Sequence, residues 1–177
     1  TIPSQFQLQL GNSATVRYAQ LFDLEVSLRV FCNRGTSGID GSLSTAIGAA
    51  FVSKLPTVFV TGDLSFLYDS NGLWNNYIPN SFRIVLINNG GGGIFRILPG
   101  AKKAQHFSDF FETKHSLTAE HLCRMYDIDY TSASDYGNMK LQLDEFYETS
   151  KRPKLIEIFT PSNLNDQVLK DYFQFIS

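Results

Sequence analysis

Short apolar runs and longer amphipathic stretches alternate along this chain, and the two periods differ. The short runs read as strands: Leu8–Leu10, Leu28–Cys32, the run from Thr57 to Asp63 opened by Pro56, Arg83–Ile87, Ile128–Thr131 and Lys154–Thr160. The stretches between them carry apolar residues at helical spacing. A helix is expected from Asn12-Ser13, a capping signal, to about Phe22, with Val16, Ala19 and Leu21 inward. A second runs from Asp40 to Ser53, with Leu43, Ile47, Ala50 and Phe51 on one face and small residues for close packing. Others are expected over Leu67–Tyr77, from a Thr118 cap to Met125 or Tyr126, over Asn138–Thr149 with Leu141, Leu143 and Phe146 inward, and over Asn165–Phe175. Six strands separated by helices predict an α/β fold: a doubly wound, mostly parallel central sheet flanked by helices. The segment Gly90–His115 has weak periodicity and reads as a long loop with short helical turns. A loop of that length in a compact domain is usually functional.

Composition narrows the class without naming a function. The chain has 177 residues, 43% hydrophobic and 18% charged, enough for one domain with a real core. Its net charge of −2 gives no electrostatic case for nucleic acid or for a membrane surface. No apolar run approaches the roughly 20 residues of a membrane span. No secretory signal is evident and the first residue is not Met, so the expectation is a fragment of a cytoplasmic protein. Cys32 and Cys123 lack metal-type spacing and read as reduced thiols. His106, His115 and His121 have no ligand partners at standard spacing and read as surface or core-edge residues.

Chemistry enters at two strand ends. Asp63 closes one apolar run and Asn88-Asn89 closes another, with Asp63 and Asn89 separated by 26 positions. Two parallel neighbouring strands would present these groups at one sheet edge, where open α/β folds bind ligands. Mg²⁺ is small and hard, takes oxygen ligands and completes its shell with phosphate and water. One carboxylate, one amide oxygen and one main-chain carbonyl leave room for a diphosphate, which several carboxylates would repel. The run Gly90-Gly91-Gly92-Gly93 lets the backbone turn a carbonyl toward the metal. Each half alone is also an ordinary turn.

The pattern resembles the Mg-diphosphate motif of thiamine diphosphate enzymes. Asn33-Arg34-Gly35-Thr36-Ser37-Gly38-Ile39-Asp40-Gly41, Gly62-Asp63-Leu64-Ser65 and Asn88-Asn89 with Gly91-Gly92, Ile94-Phe95 and Leu98-Pro99 resemble one branch of them. That branch is the 2-succinyl-5-enolpyruvyl-6-hydroxy-3-cyclohexene-1-carboxylate synthases of menaquinone biosynthesis, which accept Leu64 where most relatives have glycine. The resemblance is good from Asn12 to about Pro99. It implies Mg²⁺, with Mn²⁺ as an alternative, held by Asp63, Asn89 and the Gly91 carbonyl. It implies cofactor contacts from Ser37, Gly38, Gly62, Leu64 and Ser65, with Ile39 as an apolar wedge between the cofactor rings.

The same resemblance places Ser13, Arg17 and Arg34 at substrate carboxylates and Ile94, Phe95 and Leu98 along an apolar wall. Ser13 and Arg17 are four apart, one face of a helix start, and guanidinium forks suit dicarboxylates. The implied reaction decarboxylates 2-oxoglutarate and adds the succinyl-semialdehyde carbanion to isochorismate. The activating glutamate is expected on a missing domain, so residues 1–177 are expected to be a single C-terminal cofactor-binding domain without its N-terminal pyrimidine-binding and central domains. The whole protein would be a homodimer or homotetramer, and the isolated chain would fold but be inactive. An apolar surface including Ile94, Phe95 and Leu98 is expected to face the missing part. Two alternatives stay open: another thiamine diphosphate-dependent 2-oxoacid decarboxylase or synthase, and a non-catalytic phosphate-binding module.

Overall fold

A computed structural model of the chain describes residues 2–97, Gly100, Lys103 and residues 105–176. Six strands form one sheet in the order β2-β1-β3-β4-β6-β5. They are β1 (Gln7–Leu10), β2 (Arg29–Cys32), β3 (Thr57–Gly62), β4 (Arg83–Asn88), β5 (Asp129–Ala133) and β6 (Lys154–Phe159). Every pairing is parallel. The helices are α1 (Ala14–Ala19), α2 (Ser42–Val52), α3 (Asp63–Tyr68), α4 (Glu120–Met125), α5 (Tyr136–Phe146) and α6 (Asn165–Ile176). From β1 the chain first steps out to β2 and then returns past β1 to β3. The strand order therefore reverses between β1 and β3, and the crevice beyond their carboxyl ends is where ligands of such sheets bind.

Side-chain alternation supplies both faces of the sheet. Phe59, Ile84, Leu86 and Leu155 pack with Leu43, Ala46, Ile47 and Ala50 of α2, with Phe66 of α3 and with Cys123 of α4. On the other face Leu8, Leu10 and Val58 pack with Val16 and Ala19 of α1 and with Val85 and Tyr147. Burial on both faces is what near-continuous apolar strands require. Among the described residues no helix is long and apolar enough to cross a membrane.

Several helical expectations need correction. No helix spans Leu67–Tyr77. α3 starts at Asp63, directly after β3, and a 3-10 turn over Ser70–Leu73 follows it. Its start is set by Gly62 in extended conformation and by the Asp63 carboxylate accepting from the Leu64 N–H at 2.8 Å. α1 stops at Ala19, short of Phe22. Phe51 and Leu141 are 59% and 70% exposed rather than inward, because each lies at the solvent edge of its helix. Thr118 does not cap α4. Ala119 takes that position without a side-chain cap, and its N–H donates to Glu157 Oε2 at 3.1 Å. The expected long loop does hold short helical turns, a 3-10 turn over Gly93–Ile97 and a π-helical turn over Phe107–Glu112.

Candidate functional site

The segments after β1, β2, β3 and β4 lie along the carboxyl edge, where Asp63, the first residue of α3, meets the loop after β4 and His115. Asp63 is 4% exposed. Oδ2 accepts from the main-chain N–H groups of Asn89 at 3.2 Å and Gly91 at 2.9 Å. The two neighbouring asparagines face different ways. Asn88 is buried: its Nδ2 donates to Glu157 Oε1 at 2.7 Å and to the Leu117 carbonyl at 2.9 Å, and its Oδ1 accepts from the Gly90 N–H at 2.9 Å. Asn89 turns its amide between Asp63 Oδ2 and the Gly91 carbonyl. With nitrogen inward it donates to them at 3.3 and 2.5 Å. Turned over, the same amide would place three oxygens together, an arrangement that a hard cation satisfies. Among the described residues no group of three or more His, Cys, Asp and Glu side chains could hold a metal. The set here is of another kind, one carboxylate with amide and carbonyl oxygens.

The glycine run has a second reason beyond turning a carbonyl. Residues 111–115 lie across it, backbone against backbone. The Gly92 N–H donates to the Glu112 carbonyl at 2.6 Å, and the His115 N–H to the Gly90 carbonyl at 3.2 Å. A Cβ on Gly90 would come within 3.2 Å of the His115 carbonyl oxygen, one on Gly91 within 2.6 Å of Glu112 O, and one on Gly92 within 2.9 Å of Phe111 O. Glu112 pins this strap through Arg96, whose guanidinium also donates to the Ser162 carbonyl. That guanidinium holds the Glu112 carboxyl below the usual carboxylate range.

His115 was expected to be a surface or core-edge residue with no ligand partner at standard spacing; it lies at the core edge, and what the expectation lacked is its place beside Asp63. Its side chain is 10% exposed, with Nε2 3.2 Å from Asp63 Oδ2. Nδ1 accepts from the Leu117 N–H at 3.1 Å, so a neutral ring carries its proton on Nε2. The approach to Asp63 is off-axis, which leaves Nε2 a buried donor without a hydrogen bond. No spacing signal marked it, because its partner lies 52 positions earlier, at the start of α3.

The other expected residues divide. Ser65 is 4% exposed, and its Oγ donates to the Ile39 carbonyl at 2.6 Å, so it holds the loop that carries the apolar wedge candidate. Leu64 packs near Gly92, and Gly62 is the extended residue ahead of α3. Ser37 and Gly38 are exposed on the loop after β2, with Ser37 at φ 59°. Arg34 sits on the same loop, its Nη1 donating to Asn12 Oδ1 at 2.9 Å. Ser13 takes the position before α1 at φ 69° with no side-chain cap. Arg17 lies in the last turn of that six-residue helix, so the expected helix-start environment is absent from it. Ile94 and Phe95 are half-buried, with Phe95 edge-on to Phe111 at 5.7 Å, and exposed apolar side chains also stand elsewhere, at Phe51, Trp74 and Tyr77. Leu98 lies outside the described residues.

Comparison with known proteins decides the family. The sequence profile of the C-terminal TPP binding domain of thiamine pyrophosphate enzymes matches residues 11–158. The chain belongs to that family. The domain is 55% identical over 175 residues to 2-succinyl-5-enolpyruvyl-6-hydroxy-3-cyclohexene-1-carboxylate synthase of Christiangramia forsetii, covering 99% of this chain and 30% of the relative. It is 56% identical over 174 residues to the synthase of the same name from Flavobacterium johnsoniae, covering 98% and 31%. The chain thus spans about a third of the length of these curated relatives. A solved structure, the thiamine diphosphate-dependent 4-hydroxybenzoylformate decarboxylase of Rhodococcus jostii, superposes with a TM-score of 0.62 over 90% of this chain and 30% of that one. It is 20% identical and supports the doubly wound fold.

Proposed function

We propose that this thiamine diphosphate-binding domain is part of a longer carboligase, a 2-succinyl-5-enolpyruvyl-6-hydroxy-3-cyclohexene-1-carboxylate synthase, that decarboxylates 2-oxoglutarate and joins the remaining four-carbon unit to isochorismate. The observation that carries the reading is the meeting of Asp63, the Asn89 amide and the Gly91 carbonyl at the carboxyl ends of the neighbouring strands β3 and β4, in a chain 55% identical to a synthase of that name. The Asp63 carboxylate, the Gly91 carbonyl and an Asn89 amide that can turn its oxygen toward them fit a metal ion, and the buried His115 Nε2, a donor without a hydrogen bond, fits an anionic diphosphate beside it. Asp63, Asn89 and the Gly91 carbonyl would hold Mg²⁺, or Mn²⁺ in its place. Bound thiamine diphosphate supplies the electron sink for loss of CO₂.

The chain's own groups bind and orient. Ile39, held through its carbonyl by Ser65, would set the conformation of the cofactor rings. Arg34 would take a substrate carboxylate through its guanidinium fork, with Ser13 and Arg17 nearby in sequence. Ile94 and Phe95 would exclude water from one side of the pocket. The glutamate that activates the cofactor would come from another domain of a cytoplasmic homo-oligomer, so the isolated chain would fold and remain silent.

The test is Asp63→Ala in the full-length protein, assayed with Mg²⁺, thiamine diphosphate, 2-oxoglutarate and isochorismate. Loss of turnover together with loss of calorimetric Mg-cofactor binding is expected. Metal-dependent turnover in the variant would sink the ligand assignment. Turnover of a different 2-oxoacid by the unaltered protein would favour a second decarboxylase-type reading. No cofactor binding by that protein would favour a phosphate-binding module.

A further inference from the structure

Asn12 follows β1 and is 2% exposed, and all four of its amide valences are used. Nδ2 donates to the Asn33 carbonyl at 2.7 Å and to the Gly38 carbonyl at 2.6 Å. Oδ1 accepts from Arg34 Nη1 at 2.9 Å and from Cys32 Sγ at 3.5 Å. One side chain therefore closes the loop after β2 at both ends and also fixes the arginine inside it. The loop has little else to define it. Residues 33–38 are exposed and contain no helix or strand, and Ser37 stands at φ 59°. A long arginine on such a loop would sample many rotamers, and ordering it on ligand binding would weaken affinity. Asn12 meets that cost within the fold, because it directly follows β1, the strand between β2 and β3 at the reversal of strand order.

We infer that Asn12 is a positioning residue for substrate recognition: it presents the Arg34 guanidinium and the Asn33–Gly38 loop to a carboxylate ligand without contacting that ligand itself. The inference rests on the reading of Arg34 given above. Asparagine suits the role for a reason of chemistry. Two carbonyls need donors and a guanidinium needs an acceptor, and of the small side chains a primary amide offers both at once. An aspartate would keep the acceptor and add charge opposite Arg34, yet it would turn oxygen toward two carbonyl oxygens.

The test has two arms. In the 177-residue chain without ligand, amide hydrogen exchange across residues 33–38 is compared in the unaltered chain, Asn12→Ala and Asn12→Asp. Both variants should exchange there roughly ten- to a hundred-fold faster: Asn12→Ala loses the charge-assisted bond to Arg34 together with both carbonyl bonds, and Asn12→Asp keeps the Arg34 bond but sets a carboxylate oxygen against the Asn33 and Gly38 carbonyls. Exchange in β3 and β4 should stay as it was. In the full-length protein Asn12→Ala should raise KM for a carboxylate substrate by a similar factor, with kcat and cofactor affinity changed far less. In an Arg34→Ala background it should raise KM no further. Unchanged loop exchange, or equal losses in both backgrounds, would overturn the inference. An Arg34→Ala protein with unaltered KM would instead defeat the reading of Arg34 as a substrate ligand, while the exchange arm still reports on Asn12. Should Asn12→Ala fail to fold, Asn12→Ser carries both arms, since its hydroxyl can bond only part of the same set.

Discussion

Gly91→Ala tests whether the glycine run exists for the strap that crosses it. The new Cβ would lie 2.6 Å from the Glu112 carbonyl oxygen, against about 3.4 Å at ordinary contact, so 3.4 − 2.6 = 0.8 Å must be relieved. The obstacle is backbone, which cannot swing aside as a long side chain can. The residue also stands at φ +147°, a region held almost entirely by glycine and costing other residues about 1–3 kcal/mol. Moving the strap instead breaks the bond from the Gly92 N–H to Glu112 at 2.6 Å, worth about 0.5–1.5 kcal/mol. Moving Gly91 loses its bond to the Asp63 carboxylate at 2.9 Å, worth about 1.5–3 kcal/mol. A local destabilisation of roughly 2–5 kcal/mol follows, confined to the strap and the loop after β4.

Hydrogen exchange read by mass spectrometry on peptides covering residues 107–117 should therefore accelerate by at least an order of magnitude, and Mg-dependent cofactor binding should weaken with it. Gly35→Ala is the control, since a Cβ there meets nothing within 4 Å. Strap exchange in Gly91→Ala equal to that of the control would refute the close-approach argument.

Gly48→Ala should act in the opposite sense: the position lies within α2 with nothing within 4 Å, so a denaturant midpoint should show stabilisation of about 0.5–1 kcal/mol. Glu112 should govern acid behaviour. Its folded carboxyl is depressed by Arg96, so its contribution is complete above the unfolded value near 4.3 and is lost as pH falls through the lower folded value. Glu112→Gln should flatten the fall of the thermal midpoint in that acid window, and an unchanged slope would remove Glu112 from the account. Cys123 is fully buried and its thiol is pushed up to about 12 by burial and the nearby Glu157, so a thiol reagent should modify Cys32 well before it. Equal rates in the native chain would contradict that burial.

The strands were legible because each is a short run with a polar stop, and the parallel neighbours β3 and β4 could be inferred from Asp63 and Asn89 alone. The start of α3 was not. Its first turn, Asp63-Leu64-Ser65, also reads as the end of a strand, and only the sheet edge decides where extended backbone gives way. Asn12 looked like a helix cap because short polar residues before an apolar stretch usually are one. Its amide is instead drawn to the loop after β2, a contact 21 and 26 positions away that no local pattern reports. His115 and Glu157 were missed for the same reason. Glu157 alternates with apolar neighbours in β6 as a solvent-facing residue would, yet it is fully buried and accepts from Asn88, Ala119 and Tyr130.

These misses share a physical cause. Asn12 and Glu157 are each 2% exposed or less, and each lies beneath or beside a loop of the carboxyl edge, as does Asp69 at 3%. Asp69 accepts from the N–H and hydroxyl of Ser44 at 2.7 and 2.5 Å, tying the start of α2 to the end of α3. Glu157 ties Asn88, and through it the loop bearing Asn89 and Gly91, to the start of α4 and to Tyr130. Burying such groups is costly, and well-packed apolar residues of similar volume often serve stability as well or better. An apolar contact can slide or repack, whereas a saturated hydrogen-bond set admits one arrangement of the loops it joins. The polar positions under this edge are therefore the ones at which folding and site geometry should separate. An apolar residue of similar volume at 157 should leave a folded chain with a mobile Asn88–Gly91 loop, because the sheet beneath is held by its own pairing and by both apolar faces.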